Sequence, residues 1–243
     1  MRDPSKIGNA RRIAARALPT ILLGLLLVQT VLSPAQSDNQ LESVLKKMDA
    51  TAANFRTTEA DFVWDQYSKV VDETDTQKGK TYFRRQGNET QMAADITEPD
   101  KKYVLYTDSK VEIYQPKIDQ VTVYNAGKNK SAVESFLVLG FGGGGHDMQK
   151  SFDVKYLGTE KLNGVETAKL DLTPKSDKVR NTFSHIVLWI DPERGVSLQQ
   201  QLFEPSGDYR LAKYSDIQLN QKIPDQVFKL KTTGKTKTLS PQG

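Results

Sequence analysis

Residues 103–124 read Y-V-L-Y-T-D-S-K-V-E-I-Y-Q-P-K-I-D-Q-V-T-V-Y. Tyrosine, valine, leucine and isoleucine come in short runs, and turn formers separate one run from the next. Such runs, bounded by Asp, Ser and Pro, predict three short strands: Y-V-L-Y, V-E-I-Y and Q-V-T-V-Y.

The rhythm extends in both directions. Upstream, E-A-D-F-V-W-D-Q-Y-S-K-V-V reads as a strand from about Ala60 to Val71, with K-T-Y-F-R-R-Q next and T-Q-M-A-A-D-I as its partner. Downstream, F-D-V-K-Y-L-G-T-E-K-L and E-T-A-K-L-D-L-T-P flank Asn163-Gly164, a pair suited to a two-residue hairpin turn. Three more strands follow, in F-S-H-I-V-L-W-I-D, S-L-Q-Q-Q-L-F-E and Y-R-L-A-K-Y-S-D-I-Q-L. About eleven short strands without an internal repeat predict a mainly β (α+β) chain: an antiparallel sandwich, barrel or strongly curved sheet.

Two stretches keep a helical period instead. Leu41, Val44, Leu45, Met48, Ala52 and Phe55 form one stripe, and Asn39 with Glu42 has capping-box spacing. Ser131 and Glu134 repeat that spacing before A-V-E-S-F-L-V-L-G-F, which predicts a second helix over 131–141. That helix is apolar nearly all round, so it is buried or awaits a partner. It either plugs a filled core or, with the first helix, forms a lid over a hollow. The run G-F-G-G-G-G-H behind it lacks the lysine and Ser/Thr of a phosphate loop, and it follows a helix instead of opening one. Gly142, Gly143, Gly144 and Gly145 therefore read as a helix stop or as a hinge behind a mobile helix.

K-G-K-T-Y-F-R-R-Q (78–86) adds a constraint. Strand side chains alternate, so Arg84 shares a face with Tyr82 and Arg85 shares one with Phe83. If the sheet has a dry face, one arginine lies on it and needs acceptors for its donors.

The chain of 243 residues opens with Arg2, Lys6, Arg11, Arg12 and Arg16, then an uncharged apolar run from Ala17 to Leu32, then S-P-A-Q-S. A basic stretch, an apolar core and small residues predict a secretory signal peptide over 1–35, cut after Ala35 or Ser37. A single domain would then occupy 38–243. The whole chain has 34 Lys+Arg against 30 Asp+Glu; residues 1–35 hold five of the former and one of the latter, which leaves 29 of each. A near-neutral domain argues against a nucleic-acid partner, which requires a basic surface. There is no cysteine, so neither a disulfide framework nor an acylated N-terminal cysteine is possible.

Chemistry-bearing residues are sparse. The two histidines, His146 and His185, lie far apart, and with no cysteine they predict neither a metal site nor a Cys/His dyad. There is no G-x-S-x-G elbow. Asp61 and Asp65 share a strand face, and they read as its wet side more readily than as a glycosidase pair. A secreted hydrolase would need a convergent polar pocket, which the sequence does not display.

The order of parts resembles the periplasmic outer-membrane lipoprotein carriers, the LolA-like family. The likeness runs from the leading helix and A-D-F-V-W-D-Q through K-G-K-T-Y-F-R-R and 103–124 to K-L-D-L-T-P-K, W-I-D-P-E-R-G and I-P-D-Q-V-F-K-L. It implies an open, incomplete antiparallel β-barrel with lid helices over a hydrophobic cavity, and no enzymatic activity or cofactor. It also implies a monomeric periplasmic chaperone that takes acylated lipoproteins from an inner-membrane ABC transporter to an outer-membrane receptor. A glycolipid- or lipid-binding carrier, or a stress-sensing domain of the same fold, is the alternative. The family's lid-latching arginine falls at Arg85, although the proline that usually follows is here Gln86, and the glycine run is long for the family. With Arg85 inward, the cavity set is expected to be Phe62, Trp64, Phe83, Met92, Leu105 and Ile113, with Phe136 and Leu137 from the lid.

Overall fold

The computed structural model describes residues 34–87, 89–125, 127 and 139–241. A helix, α1 (Pro34–Asn54), leads into β1 (Thr57–Ser68), β2 (Glu73–Gln86) and β3 (Glu89–Glu98). The stretch 103–124 supplies β4 (Lys102–Thr107), β5 (Lys110–Gln115) and β6 (Gln120–Asn125), with a 3-10 turn at Pro116–Ile118. After a short helix, α2 (Gly145–Ser151), come β7 (Phe152–Leu162) and β8 (Val165–Pro174). A single helical turn, α3 (Asp177–Arg180), precedes β9 (His185–Asp191), β10 (Val196–Phe203) and β11 (Tyr209–Leu219). A 3-10 turn (Asp225–Phe228) and β12 (Lys237–Leu239) end the chain's described part.

All these strands form one open, curved sheet in the order β12-β6-β5-β4-β3-β2-β1-β11-β10-β9-β8-β7. Neighbours are antiparallel except β12, which lies parallel to β6. The expected count of about eleven is thus exceeded by β12, a three-residue strand in a polar K-T-L context that carries no alternation signal. The strand expected from Ala60 to Val71 begins and ends three residues earlier, because Lys69–Asp72 forms the hairpin turn. Most of the second helix, expected over 131–141, lies outside the described residues; Leu139–Gly142 form a turn.

Register assigns the faces. Phe83 pairs with Met92, and Met92 with Tyr106, so these share the face that also carries Phe62, Val104, Val111 and Ile113. This inner face continues through Tyr214, Ala212, Gln200, Leu188 and Leu170. At its far end α1 lays Val44, Leu45 and Met48 on Leu170, Leu172, Ile186, Leu188 and Ile190 of β8 and β9. Leu41, Val44, Leu45 and Met48 of the stripe read from the sequence make this contact, whereas Phe55 lies just past the helix end in another cluster. In the middle, Phe55, Ala60, Phe83, Phe141, Val196 and Ile217 make a second cluster.

The outer face has a core of its own. Tyr82 pairs with Ala93 and Ala93 with Leu105, and Ile223, Val227, Phe228 and Leu230 of the tail cover them. Leu105, expected in the cavity, therefore points the other way. Tyr106, one position on, takes the inner place and is 1 % exposed. Both faces of β4 are apolar here, so alternation in Y-V-L-Y could not fix the phase.

Candidate functional site

The site is built where α1, the strand-end arginine and the glycine run meet on the inner face. Phe141 is the anchor. Its ring stacks on Phe83 (centroids 5.3 Å, 18° between planes) and meets Tyr214 edge-on at 4.7 Å. Offset and edge-to-face geometries suit the ring quadrupoles, and the residue is 1 % exposed. The flanking glycines let it reach that seat. Gly140 has φ +79° and Gly142 has φ +80°, left-handed values that favour glycine. A Cβ on Gly142 would come 2.5 Å from the Phe55 ring, and one on Gly140 would come 2.3 Å from the Ser197 Cβ. The backbone is tied at the same points: Ser197 N donates to Gly140 O at 2.9 Å, and the Gln200 amide donates to Leu139 O.

Arg85 closes this arrangement from β2. It shares the inner face with Phe83, and its two terminal nitrogens donate to Ala52 O (2.8 Å), near the end of α1, and to Gly142 O (2.7 Å). The guanidinium also lies 5.4 Å from the centre of the Phe55 ring. Ala52 is in the last turn of α1, where carbonyls lack helical partners and the helix dipole favours a cation. One side chain thus joins the strand, the helix end and the glycine segment. Arg85 remains exposed at the rim, so water weakens both bonds.

Arg84 faces out, but not into water. Its Nε and one terminal nitrogen donate to Gln91 Oε1 at 3.0 and 2.7 Å, and the other terminal nitrogen pairs with Asp225. The guanidinium stacks 4.1 Å above the Phe228 ring. Both arginines therefore lie under a strap: Arg85 under the glycine segment, Arg84 under the tail.

Of the expected cavity residues, Phe62 and Phe83 are buried on the inner face, whereas Met92 and Ile113 are half-buried there. Trp64 shares this face but is 40 % exposed. Leu105 is on the outer face, and Phe136 and Leu137 lie outside the described residues. A Cβ on Gly145 would meet the Leu45 backbone of α1 at 2.6 Å and one on Gly142 the Phe55 ring just past α1, whereas one on Gly144 would lie 3.0 Å from the Asp49 carboxylate. A groove of about 720 Å³ also opens between α1 and β8, lined by Val44, Tyr156 and Ala168 and by Lys46, Lys47 and Glu166.

Sequence reasoning missed Ala52, Phe141 and Gly142 as the groups that Arg85 and Phe83 engage. The G-F-G pattern was the one available signal, a large ring between two residues able to bend away from it. The carboxylates considered for catalysis are held by cations: Lys80 reaches Asp61 and Glu59 at 3.0 Å, and Lys213 reaches Asp65 at 3.3 Å. Asp61 first, then Glu59, push the Lys80 ammonium pKa up. His185 stacks on Phe203 at 4.2 Å, on the outer face. Among the described residues no three His, Asp or Glu side chains are grouped to hold a metal ion. No described helix is long and apolar enough to cross a membrane.

The profile of the family described as "Outer membrane lipoprotein carrier protein LolA" matches residues 53–231. An outer-membrane lipoprotein carrier protein of Dechloromonas aromatica (strain RCB) is 27 % identical over 204 residues, spanning 82 % of this chain and 85 % of that protein. One from Nitrosospira multiformis is 24 % identical over 177 residues, 72 % of this chain and 78 % of its own length. Among solved structures, an uncharacterized conserved protein from Thermus thermophilus has the same fold. It aligns at TM-score 0.51 and 11 % identity, covering 83 % of this chain and 99 % of that one.

Proposed function

The chain belongs to the outer membrane lipoprotein carrier (LolA) family, and from that premise we propose that it is a periplasmic carrier for the acyl chains of lipoproteins. The carrying observation is the inner face itself. It bears half-buried Met92, Val104, Val111 and Ile113, beside a glycine segment held over it by Arg85. Water exposure costs about 0.8 kcal/mol per CH₂, so a chain of roughly sixteen carbons costs on the order of 12 kcal/mol. That cost keeps a lipoprotein in its membrane unless an apolar surface replaces the bilayer.

Release must be as easy as uptake. Apolar contact lacks polar anchors, and a segment that closes when the hollow is empty opposes loading. The grip is then the difference between the two. Arg85 supplies the closing side, because its acceptors at Ala52 and Gly142 belong to the parts that would separate. In this reading Gly142–Gly145 act as the hinge, and Phe62, Phe83, Met92 and Ile113 line the hollow. The leader over 1–35 exports a monomer that receives cargo from an inner-membrane ABC transporter and yields it to an outer-membrane receptor. No catalytic step is needed.

The test is mass spectrometry under native conditions on protein purified from the periplasm. Bound lipoprotein or acylated peptide on single chains is expected. Bound glycolipid or free phospholipid alone would replace the lipoprotein reading, and protein that neither carries lipid nor takes up a fluorescent palmitoyl lipopeptide would overturn it.

A further inference from the structure

The glycine segment meets α1 at a second point, through a titratable group that the carrier reading does not use. His146 stands in the first turn of α2, facing two carboxylates of α1. Its Nδ1 meets Asp49 Oδ2, and its Nε2 lies 3.2 Å from Glu42 Oε2. Asp49 and Glu42 are about two helical turns apart and so project from one face of α1. Asp49 Oδ1 also accepts the backbone N–H of His146 at 3.2 Å. Next to it, the close approach of Gly145 to the Leu45 backbone brings the two elements together; a Cβ there would be 2.6 Å away.

We propose that His146 is a positioning residue which, as an imidazolium, clips the glycine segment to α1 in parallel with Arg85, so that the hold loosens as the solution turns alkaline. Only the cation donates from both ring nitrogens; neutral imidazole keeps one donor and turns a lone pair toward the other carboxylate. The carboxylates sit at opposite nitrogens, so they cannot share one metal ion with the ring. The consequence for cargo rests on the carrier reading; the clip itself does not.

Hydrogen bonds to Asp49 first and Glu42 second raise His146 above its ordinary 6.5. Burial would raise Asp49, but the side-chain and backbone bonds from His146 prevail and hold it below its ordinary 3.8. Glu42 is held below 4.5, by Lys46 first and His146 second. The imidazolium's contribution is complete below 6.5 and is lost as pH rises through its raised value. The carboxylates' contribution is complete above 4.5 and is lost as pH falls through their lowered values. The clip is therefore tightest between about pH 4.5 and 6.5 and opens on the alkaline side.

Other charged groups surround the clip. Lys46 takes the other Glu42 oxygen at 3.1 Å, and Asp147 pairs with Lys150 at 2.6 Å on α2. Lys175 lies at the far end of α2, 2.7 Å from Gln149 O and 3.6 Å from Asp153 of β7. The clip is half-exposed, so low ionic strength gives the clearest reading.

The test is amide hydrogen exchange of residues 139–146 in the lipid-free full chain at about pH 6 and about pH 9, corrected for intrinsic rates, together with an NMR titration of the imidazole. The expected result is a His146 titration above 6.5 and a several-fold loss of protection at the higher pH. His146→Gln should show the weaker protection at both, whereas His146→Arg should restore it at both with no pH response. A titration at or below 6.5, or one pH profile shared by wild type and His146→Gln, would overturn the proposal. A fluorescent palmitoyl lipopeptide reads the consequence: wild type should release it faster at the lower pH, and His146→Gln slowly at both. If no variant binds the probe at any pH, the carrier reading fails while the exchange result still decides the clip.

Discussion

Arg84 and Arg85 are adjacent and fasten different parts of the molecule, because successive strand residues face opposite ways. Removing each should therefore have a separate signature. Arg85→Leu deletes two bonds to backbone carbonyls, each contributing about 1 kcal/mol at a rim open to water. In the proposed carrier cycle those bonds belong to the closed, empty state. Uptake of a fluorescent palmitoyl lipopeptide should be undiminished, and its transfer to acceptor vesicles slowed several-fold. Unchanged transfer would defeat the latch, and a drop in Tm with uptake and transfer impaired together would make Arg85 purely structural. Arg84→Leu removes the bonds to Gln91, a partly exposed ion pair with Asp225 and a cation–π contact, together about 1 kcal/mol. Scanning calorimetry should show Tm lower by about 2–4 °C with loading and transfer intact. Gly142→Ala must fit a Cβ beside Phe55 at positive φ, which costs about 1–2 kcal/mol. It should loosen the segment and mimic Arg85→Leu in the transfer assay.

Among the elements, the tail covers part of the outer face. Residues 223–230 close the small core of Tyr82, Ala93 and Leu105. Asp119 in the β5–β6 turn then fixes the chain beyond that core, accepting from Thr233 and Thr236 hydroxyls at 2.6 Å each. Phe228→Ala should cost about 3 kcal/mol, since it both empties a buried site and strips Arg84 of its ring. Urea unfolding measures this, and lipopeptide uptake should survive because the outer core is separated from the inner face by the sheet. Loss of uptake at full stability would show that the two faces are coupled.

For the whole molecule, no disulfide contributes to stability, since no cysteine is present. Thermal melts with and without a thiol reductant should coincide; a shift would point to a bound component sensitive to reduction. One sheet carries two buried clusters on its inner face and one on its outer face, and α1 packs on the inner cluster built on β8 and β9. The strands were legible because β-branched and aromatic runs bounded by turn formers leave few other folds. The α1 stripe was legible because Leu41 through Met48 keep a 3.6-residue period and pack as that period requires. Leu105 was not, because Y-V-L-Y is apolar on both faces and a period of two then carries no phase. The inward side of Arg85 followed from its neighbour Phe83, but its acceptors did not. Ala52 O, Gly142 O and the Asp49–His146–Glu42 group join residues tens of positions apart, and backbone carbonyls look alike in every sequence. What the sequence determined by itself was local: strand, turn, helix and the alternation of two arginines, all set by nearest neighbours. The tertiary structure decided which face each core occupies and which distant groups each arginine and His146 meet, because sheet register and helix docking depend on the whole chain closing together.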